Sequence, residues 1–253
     1  MAKTIVITGR GGSGKTTFAA LATRYLPTPQ LLIDADSDQN LAAMLGIDLE
    51  AAGVKTISDA LYELQSSRRG SADLDTMPLP KKIEYLVHTN CVYEGPDFDL
   101  VSIGVKWTQG CYCAPNDILR AIVPALARNH ACTVVDAPGG LEHLNRRITS
   151  RVDDLFVIMD PSAKSRRNLE RTQAIAAEVG ITYQNLYLVA NHQFSPDKLE
   201  LVRDIPEAVY LGQVPADPLV PTYDWQDRSL RELPESAPAV AAVREILAKA
   251  GYS

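Results

Sequence analysis

Apolar residues fall along this chain in two rhythms. Short unbroken runs, with Thr4-Ile-Val-Ile-Thr8 and Leu31-Leu-Ile-Asp34 first among them, alternate with longer stretches in which apolar positions recur every third or fourth residue. A short run bounded by turn residues fits a strand buried on both faces, and the longer spacing fits an amphipathic helix. The pattern predicts strands near 4–8, 30–34, 98–103, 131–136, 154–160, 185–190 and 208–212, separated for the most part by helices. Such alternation demands right-handed crossovers, so the fold class is α/β, with a mainly parallel central sheet flanked by helices. With 46% hydrophobic residues and no low-complexity linker, residues 1–253 are expected to form a single domain around one substantial core.

Several helices can be bounded from the pattern. One runs from Lys15 to Leu26 and stops before Pro27; another covers 116–128, where Pro124 predicts a kink or a break. The stretch from Leu79 to Val92 reads as a helix on the rim of the sheet, and the polar stretch from Ser66 to Asp73 reads as a mobile loop. The C-terminal pattern from Val240 to Ala250 holds only Arg244 and Lys249 against Glu245, as ordinary helix packing would.

The formal charge of −6 argues against a general nucleic-acid surface, which calls for a basic patch. No run of about 18 apolar residues appears and no leader precedes the first strand, so the expectation is a cytoplasmic protein without a membrane partner.

Two motifs carry chemistry. Gly9-Arg10-Gly11-Gly12-Ser13-Gly14-Lys15-Thr16-Thr17 lies between the first strand and the first helix. Glycines there let consecutive N–H groups turn toward phosphate oxygens, Lys15 adds charge, and the Thr16 hydroxyl suits Mg²⁺. Strand, glycine loop and helix N-terminus together make an anion site, so a nucleotide is expected on Gly11, Gly12, Ser13, Gly14, Lys15, Thr16 and Thr17. Arg10 is a second cation, which suggests phosphates shared between two subunits. The second strand runs into Asp34-Ala-Asp36-Ser-Asp38, acids at a strand's carboxyl end, where open α/β sheets bind ligands. The other motif is Cys111-Tyr112-Cys113. Two thiols one residue apart can reach one soft metal ion, and a twofold dimer would supply four; a strained local disulfide and coincidence are the competing readings.

Arg10 before Gly-Gly-x-Gly-Lys-Thr-Thr, the Asp34-x-Asp36 strand end, and Asp136-Ala-Pro-Gly-Gly140 after an apolar strand resemble the deviant phosphate-loop ATPases. That class includes the nitrogenase iron protein, septum-positioning and partition ATPases and metal-insertion chaperones. The stretches from Trp107 to Leu119 and from Asp136 to Arg146 are similar to the nickel-insertion ATPases that mature carbon monoxide dehydrogenase.

The resemblance implies a phosphate-loop NTPase fold of the nitrogenase-iron-protein-like type and roles residue by residue. Lys15 and Arg10 would stabilise the transferring phosphate, Arg10 from the partner subunit, although the class usually has lysine there. Asp36 would position the attacking water, Thr16 and Asp136 would hold Mg²⁺, and Asn191 and Pro215 would lie against adenine. Asp34 and Asp38 rank lower, as capping or solvated acids. Cys111 and Cys113 would bind nickel or zinc at the dimer interface. The function implied is an ATP-hydrolysing metallochaperone, homodimeric, delivering nickel to apo carbon monoxide dehydrogenase. An iron–sulfur electron-transfer ATPase and a positioning or partition ATPase are the alternatives. Cys132 reads as a small core residue; Cys91 and His143 stay open, and His88, His130 and His192 show no ligand spacing.

Overall fold

The structure, a computed structural model, describes residues 3–66, 78–105, 113–138 and 151–252. Seven parallel strands lie near the positions that the apolar runs predict: β1 (Lys3–Gly9), β2 (Gln30–Asp34), β4 (Phe98–Ser102), β5 (Cys132–Asp136), β6 (Arg151–Met159), β7 (Thr182–Ala190) and β8 (Val209–Gln213). An eighth, β3 (Tyr93–Glu94), pairs antiparallel with β4 and is too short for periodicity to reveal. The order across the sheet is β3-β4-β2-β5-β1-β6-β7-β8. The strands on one side of β1 are β5, β2, β4 and β3, and those on the other are β6, β7 and β8, so the strand order reverses at β1, where an open sheet leaves a crevice at its carboxyl edge.

Both faces of the sheet are covered. Ile5, Ile7, Leu32 and Val134 pack into one core cluster, while Val6, Leu31, Ile33 and Val135 pack into the other, the alternation that a pleated strand imposes. The first cluster is closed by α1 (Lys15–Ala22) and α9 (Pro238–Lys249), through Phe18, Val240, Val243 and Ile246. The second is closed by α3 (Ile57–Ser66), α4 (Leu79–Asn90), α5 (Cys113–Leu126) and α6 (Ala163–Val179). Short helices α2 (Asn40–Met44), α7 (Glu200–Arg203) and α8 (Leu219–Trp225) complete the described chain.

Two helix boundaries differ from expectation. The first helix ends at Ala22, not Leu26, because the Thr23 hydroxyl bonds back to the Ala20 carbonyl at 2.7 Å and competes with the ladder. The Gln30 amide then reaches in from β2 and donates to the carbonyls of Thr23 and Leu26, at 2.8 and 3.0 Å, so the opened turn is satisfied. Pro124 does not break α5, which runs on to Leu126 and closes in a 3₁₀ turn over Ala127–Asn129. So close to the helix end the missing N–H costs one hydrogen bond and disturbs no further turn. Residues 67–73 of the expected mobile loop lie outside the described residues, and Ser66 ends α3.

At the amino edge of the sheet Tyr252 is tied down. The buried Asp154 carboxylate accepts from the Tyr252 hydroxyl and from Asn185 Nδ2 at 2.7 Å, with Lys3 Nζ 3.5 Å away and stacked over the Tyr252 ring. Cys132 and Cys91 are both buried, and burial pushes each thiol up to about 12. Cys132 is thus the core residue that the sequence suggests, and Cys91 occupies the seam between α3 and α4.

Candidate nucleotide site

The loop between β1 and α1 forms one wall of a cleft of about 630 Å³ at the carboxyl edge of the sheet. Its shape depends on glycine at two positions. Gly9 has φ +148°, and a Cβ there would lie 2.3 Å from the Ile158 carbonyl oxygen of the adjacent strand. Gly14 has φ +94° and caps α1, which a side chain at that dihedral would strain. Between them the Ser13 N–H donates to the Arg10 carbonyl at 3.1 Å, closing the turn that aims the loop into the cleft.

Gly11, Gly12, Ser13, Gly14, Lys15, Thr16 and Thr17 all line the cleft, as do Asp36, Asn191 and Pro215. Lys15 is only 6% exposed and makes no ion pair among the described residues, which leaves its ammonium charge for an anion in the cleft. Thr17 also bonds to the Met44 sulfur at 3.8 Å, joining the loop to α2. Asn191 is buried, and its amide is engaged with protein: Nδ2 donates to the Ser13 carbonyl at 3.3 Å and Oδ1 accepts from Gln193 N–H at 3.0 Å. It therefore braces the phosphate loop from the end of β7 while facing the cleft.

Arg10 alone among the sequence-predicted loop residues does not line the cleft. Its Nε and a terminal nitrogen each lie 2.9 Å from Asp160 Oδ2, at the carboxyl end of β6. Burial alone would push the Asp160 carboxyl up, but Ser162 and the Arg10 guanidinium outweigh it and hold it below the usual carboxylate range. Asp160 is a residue that the sequence reading missed; an acid closing the apolar run Leu155-Phe-Val-Ile-Met159 is the same strand-end signal that marked Asp34 and Asp136.

Those two face each other across the β2–β5 register and are fully buried. Among the described residues neither Asp136 carboxylate oxygen has a hydrogen bond of good geometry, the Thr16 hydroxyl being its nearest side-chain donor. Burial pushes its carboxyl up to about 7, against the pull of the Thr16 hydroxyl and the Lys15 ammonium. Burial, and next the neighbouring Asp136 charge, raise Asp34 well above the ordinary range despite the amides of Asp36 and Leu41 that it accepts. A buried carboxylate without a well-formed hydrogen bond, beside a threonine hydroxyl, is a fitting partner for a hydrated divalent cation, and Mg²⁺ suits this all-oxygen set.

Apolar side chains also line the cleft: Phe18, Met44, Ile158, Val214, Val220 and Ala239. Asp217, beside Val214, accepts from Leu219 N–H and from Ala239 N–H at the start of α9, both at 3.0 Å. Trp225, at the end of α8, is 91% exposed. Cys113 opens α5, but its side chain, Cys111 and His143 lie outside the described residues. Among the described residues no group of three or more His, Cys, Asp or Glu could hold a metal ion. His130 has Nδ1 2.8 Å from the Leu126 carbonyl and Nε2 3.0 Å from Asp99, far from the nucleotide cleft.

This loop at a central β1, set against a buried aspartate on the neighbouring strand, defines a phosphate-loop ATPase. More particularly, the chain belongs to the same family as the uncharacterized ATP-binding protein MJ0685 of Methanocaldococcus jannaschii. The two are 33% identical over an alignment of 254 residues that spans 97% of each. The carbon monoxide dehydrogenase accessory protein CooC of Rhodospirillum rubrum is 25% identical over 237 residues, 90% of this chain and 89% of CooC. Among solved structures the fold matches the septum site-determining protein MinD of Pyrococcus horikoshii with a TM-score of 0.69 at 16% identity, over 99% of this chain and 96% of that one. A ParA family ATPase of Chlorobium tepidum gives 0.67 at 14% identity, over 97% and 98%. No protein-family model matches the chain.

Proposed function

We propose that the protein is a cytoplasmic, homodimeric metallochaperone: an ATPase that holds nickel, or zinc in its place, on Cys111 and Cys113 of both subunits and delivers it to apo carbon monoxide dehydrogenase or a related nickel enzyme. The observation that carries this reading is the Cys-x-Cys pair, in a chain alignable over 90% of its length with a carbon monoxide dehydrogenase accessory protein. Four thiolates make a soft, closed set that suits such a cargo.

On this reading the cleft works as a switch. Lys15 and the amides from Gly11 to Thr17 bind and orient the triphosphate, and most of the catalysis is positioning and charge stabilisation of this kind. Mg²⁺, held by Thr16 and through water by Asp136, would neutralise phosphate charge. Asp36, half-exposed at the cleft, positions the attacking water by accepting its hydrogen bond. Asn191 and Pro215 lie beside the base, with the apolar side chains of the cleft packing on the ring. Arg10 leaves Asp160 and crosses to the partner's nucleotide, a contribution worth roughly 10³ to 10⁵ in rate in other phosphate-loop enzymes. Its planar guanidinium allows two-point contact where an ammonium would give one.

The test is anaerobic metal analysis combined with light scattering, on the wild type and on the double variant Cys111→Ser/Cys113→Ser after addition of nickel or zinc. About one metal per dimer, lost in the double variant, is the expected result for a shared four-thiolate site. A wild-type protein that stays monomeric without tight metal overturns the proposal. Strong visible absorption with reversible one-electron reduction would instead assign the thiols to an iron–sulfur cluster.

A further inference from the structure

By sequence Asp34 ranks with Asp38 below Asp36, and its surroundings set it apart from Asp38. It is the last residue of β2, fully buried, and pinned by main-chain bonds on both sides: its carbonyl accepts from Ile103 N–H at 2.9 Å, and the next amide, Ala35 N–H, donates to the Asp136 carbonyl at 3.0 Å. Its carboxylate reaches forward over the loop that carries Asp36. Oδ1 accepts from Asp36 N–H at 3.2 Å, and Oδ2 accepts from Leu41 N–H at 3.1 Å.

Leu41 lies in the first turn of α2, a helix whose preceding residue supplies no side-chain cap. That residue, Gln39, sits at φ +55°, a left-handed conformation that a glutamine holds only when its surroundings impose it. The cap comes from Asp34, seven residues before Leu41. One buried carboxylate therefore staples both ends of the loop that presents Asp36 to the cleft, and it does so from a strand end that the sheet cannot let move.

We infer that Asp34 is a positioning residue for ATP hydrolysis, acting through Asp36: by holding the loop at its two ends it fixes the Asp36 carboxylate relative to the triphosphate. The inference rests on the reading of Asp36 as the group that orients the attacking water. Asparagine at position 34 keeps the size of the side chain but replaces one acceptor oxygen with a donor, so only one of the two loop amides can be satisfied. Asp36 would then be displaced while the phosphate loop and the apolar side chains of the cleft remain as they are.

A double-variant cycle in steady-state ATP hydrolysis tests this. Asp36→Asn is expected to slow turnover strongly, and Asp34→Asn to lower kcat by about 10- to 100-fold, the scale of a displacement on the order of 1 Å, with KM for ATP within about threefold of wild type. In the Asp36→Asn background Asp34→Asn should lower kcat no further, since two residues acting as one unit are not additive. Equal fractional losses in both backgrounds, or a KM increase matching the kcat loss, would show a merely structural role and overturn the inference. Wild-type turnover in Asp36→Asn would instead remove the reading of Asp36 on which it rests. Should Asp34→Asn fail to fold, Asp34→Ser supplies a second uncharged variant. In the wild type, the Asp36 and Leu41 amides should exchange hydrogen slowly and together; fast exchange at either sinks the staple.

Discussion

At the residue scale, the site consists of polar groups placed where burial makes them costly unless a ligand arrives. Among the described residues Lys15 has charge without an ion-pair partner, and Asp136 has two buried oxygens without a hydrogen bond of good geometry. The pH dependence of the free protein follows. The Asp136 carboxyl sits at about 7 in the folded chain against an ordinary 3.8. Between those values the unfolded chain has released a proton that the folded chain keeps, so stability of the free protein should fall as pH rises from about 4 through about 7. The total is on the order of 4 kcal/mol. Asp34, shifted in the same direction, adds to the fall. Thermal melts between pH 5 and 8 should show it, and saturating Mg²⁺ and nucleotide should flatten it; a melting temperature that rises across that range would contradict the burial described here. Lys15, Thr16 and Asp136 were legible in the sequence because the phosphate pattern fixes residue types at set spacings. The Asp160 partner of Arg10 was not, since 150 residues separate them and their meeting depends on β1 and β6 being neighbours.

At the scale of elements, the long strands were legible because burial on both faces leaves a continuous apolar run, and β3 was not because two residues carry no rhythm. The early end of α1 shows the same limit differently: Thr23 competes locally, but Gln30, arriving from β2, makes the opened turn tolerable. The junction of β1 with the phosphate loop should be the least forgiving point of the fold. Gly9→Ala puts a Cβ 2.3 Å from the Ile158 carbonyl oxygen, a backbone atom held by the sheet. The expected cost is about 1–3 kcal/mol in urea unfolding, together with weaker nucleotide binding as the loop shifts. Unchanged stability and affinity would mean that the backbone yields there.

At the scale of the whole molecule, the alternation of elements made a mainly parallel sheet legible, whereas the lateral order of strands was not, because it is decided by which crossovers pass beside which. The tie of Lys3 and Tyr252 to one carboxylate was also invisible. Lys3 begins the first strand and Tyr252 follows the last helix, yet both meet Asp154 in the middle of the sequence. Tyr252→Phe removes the hydroxyl donor from a buried carboxylate and should cost about 1–3 kcal/mol, measured by urea denaturation; a neutral outcome would show that Asn185 and Lys3 suffice. The strand order also bears on how the protein comes off the ribosome. β1 is made before both of its neighbours, β5 and β6, which come from residues 132–159, so the strand that carries the ATP-binding loop has no sheet partner until at least residue 132 has been synthesised. At about 5–20 residues per second that interval is roughly 8–30 s, during which Ile5-Val-Ile7 is an apolar segment without a sheet to join. Nucleotide cannot template the early steps of folding, because the pocket that would bind it closes only after the centre of the sheet has assembled.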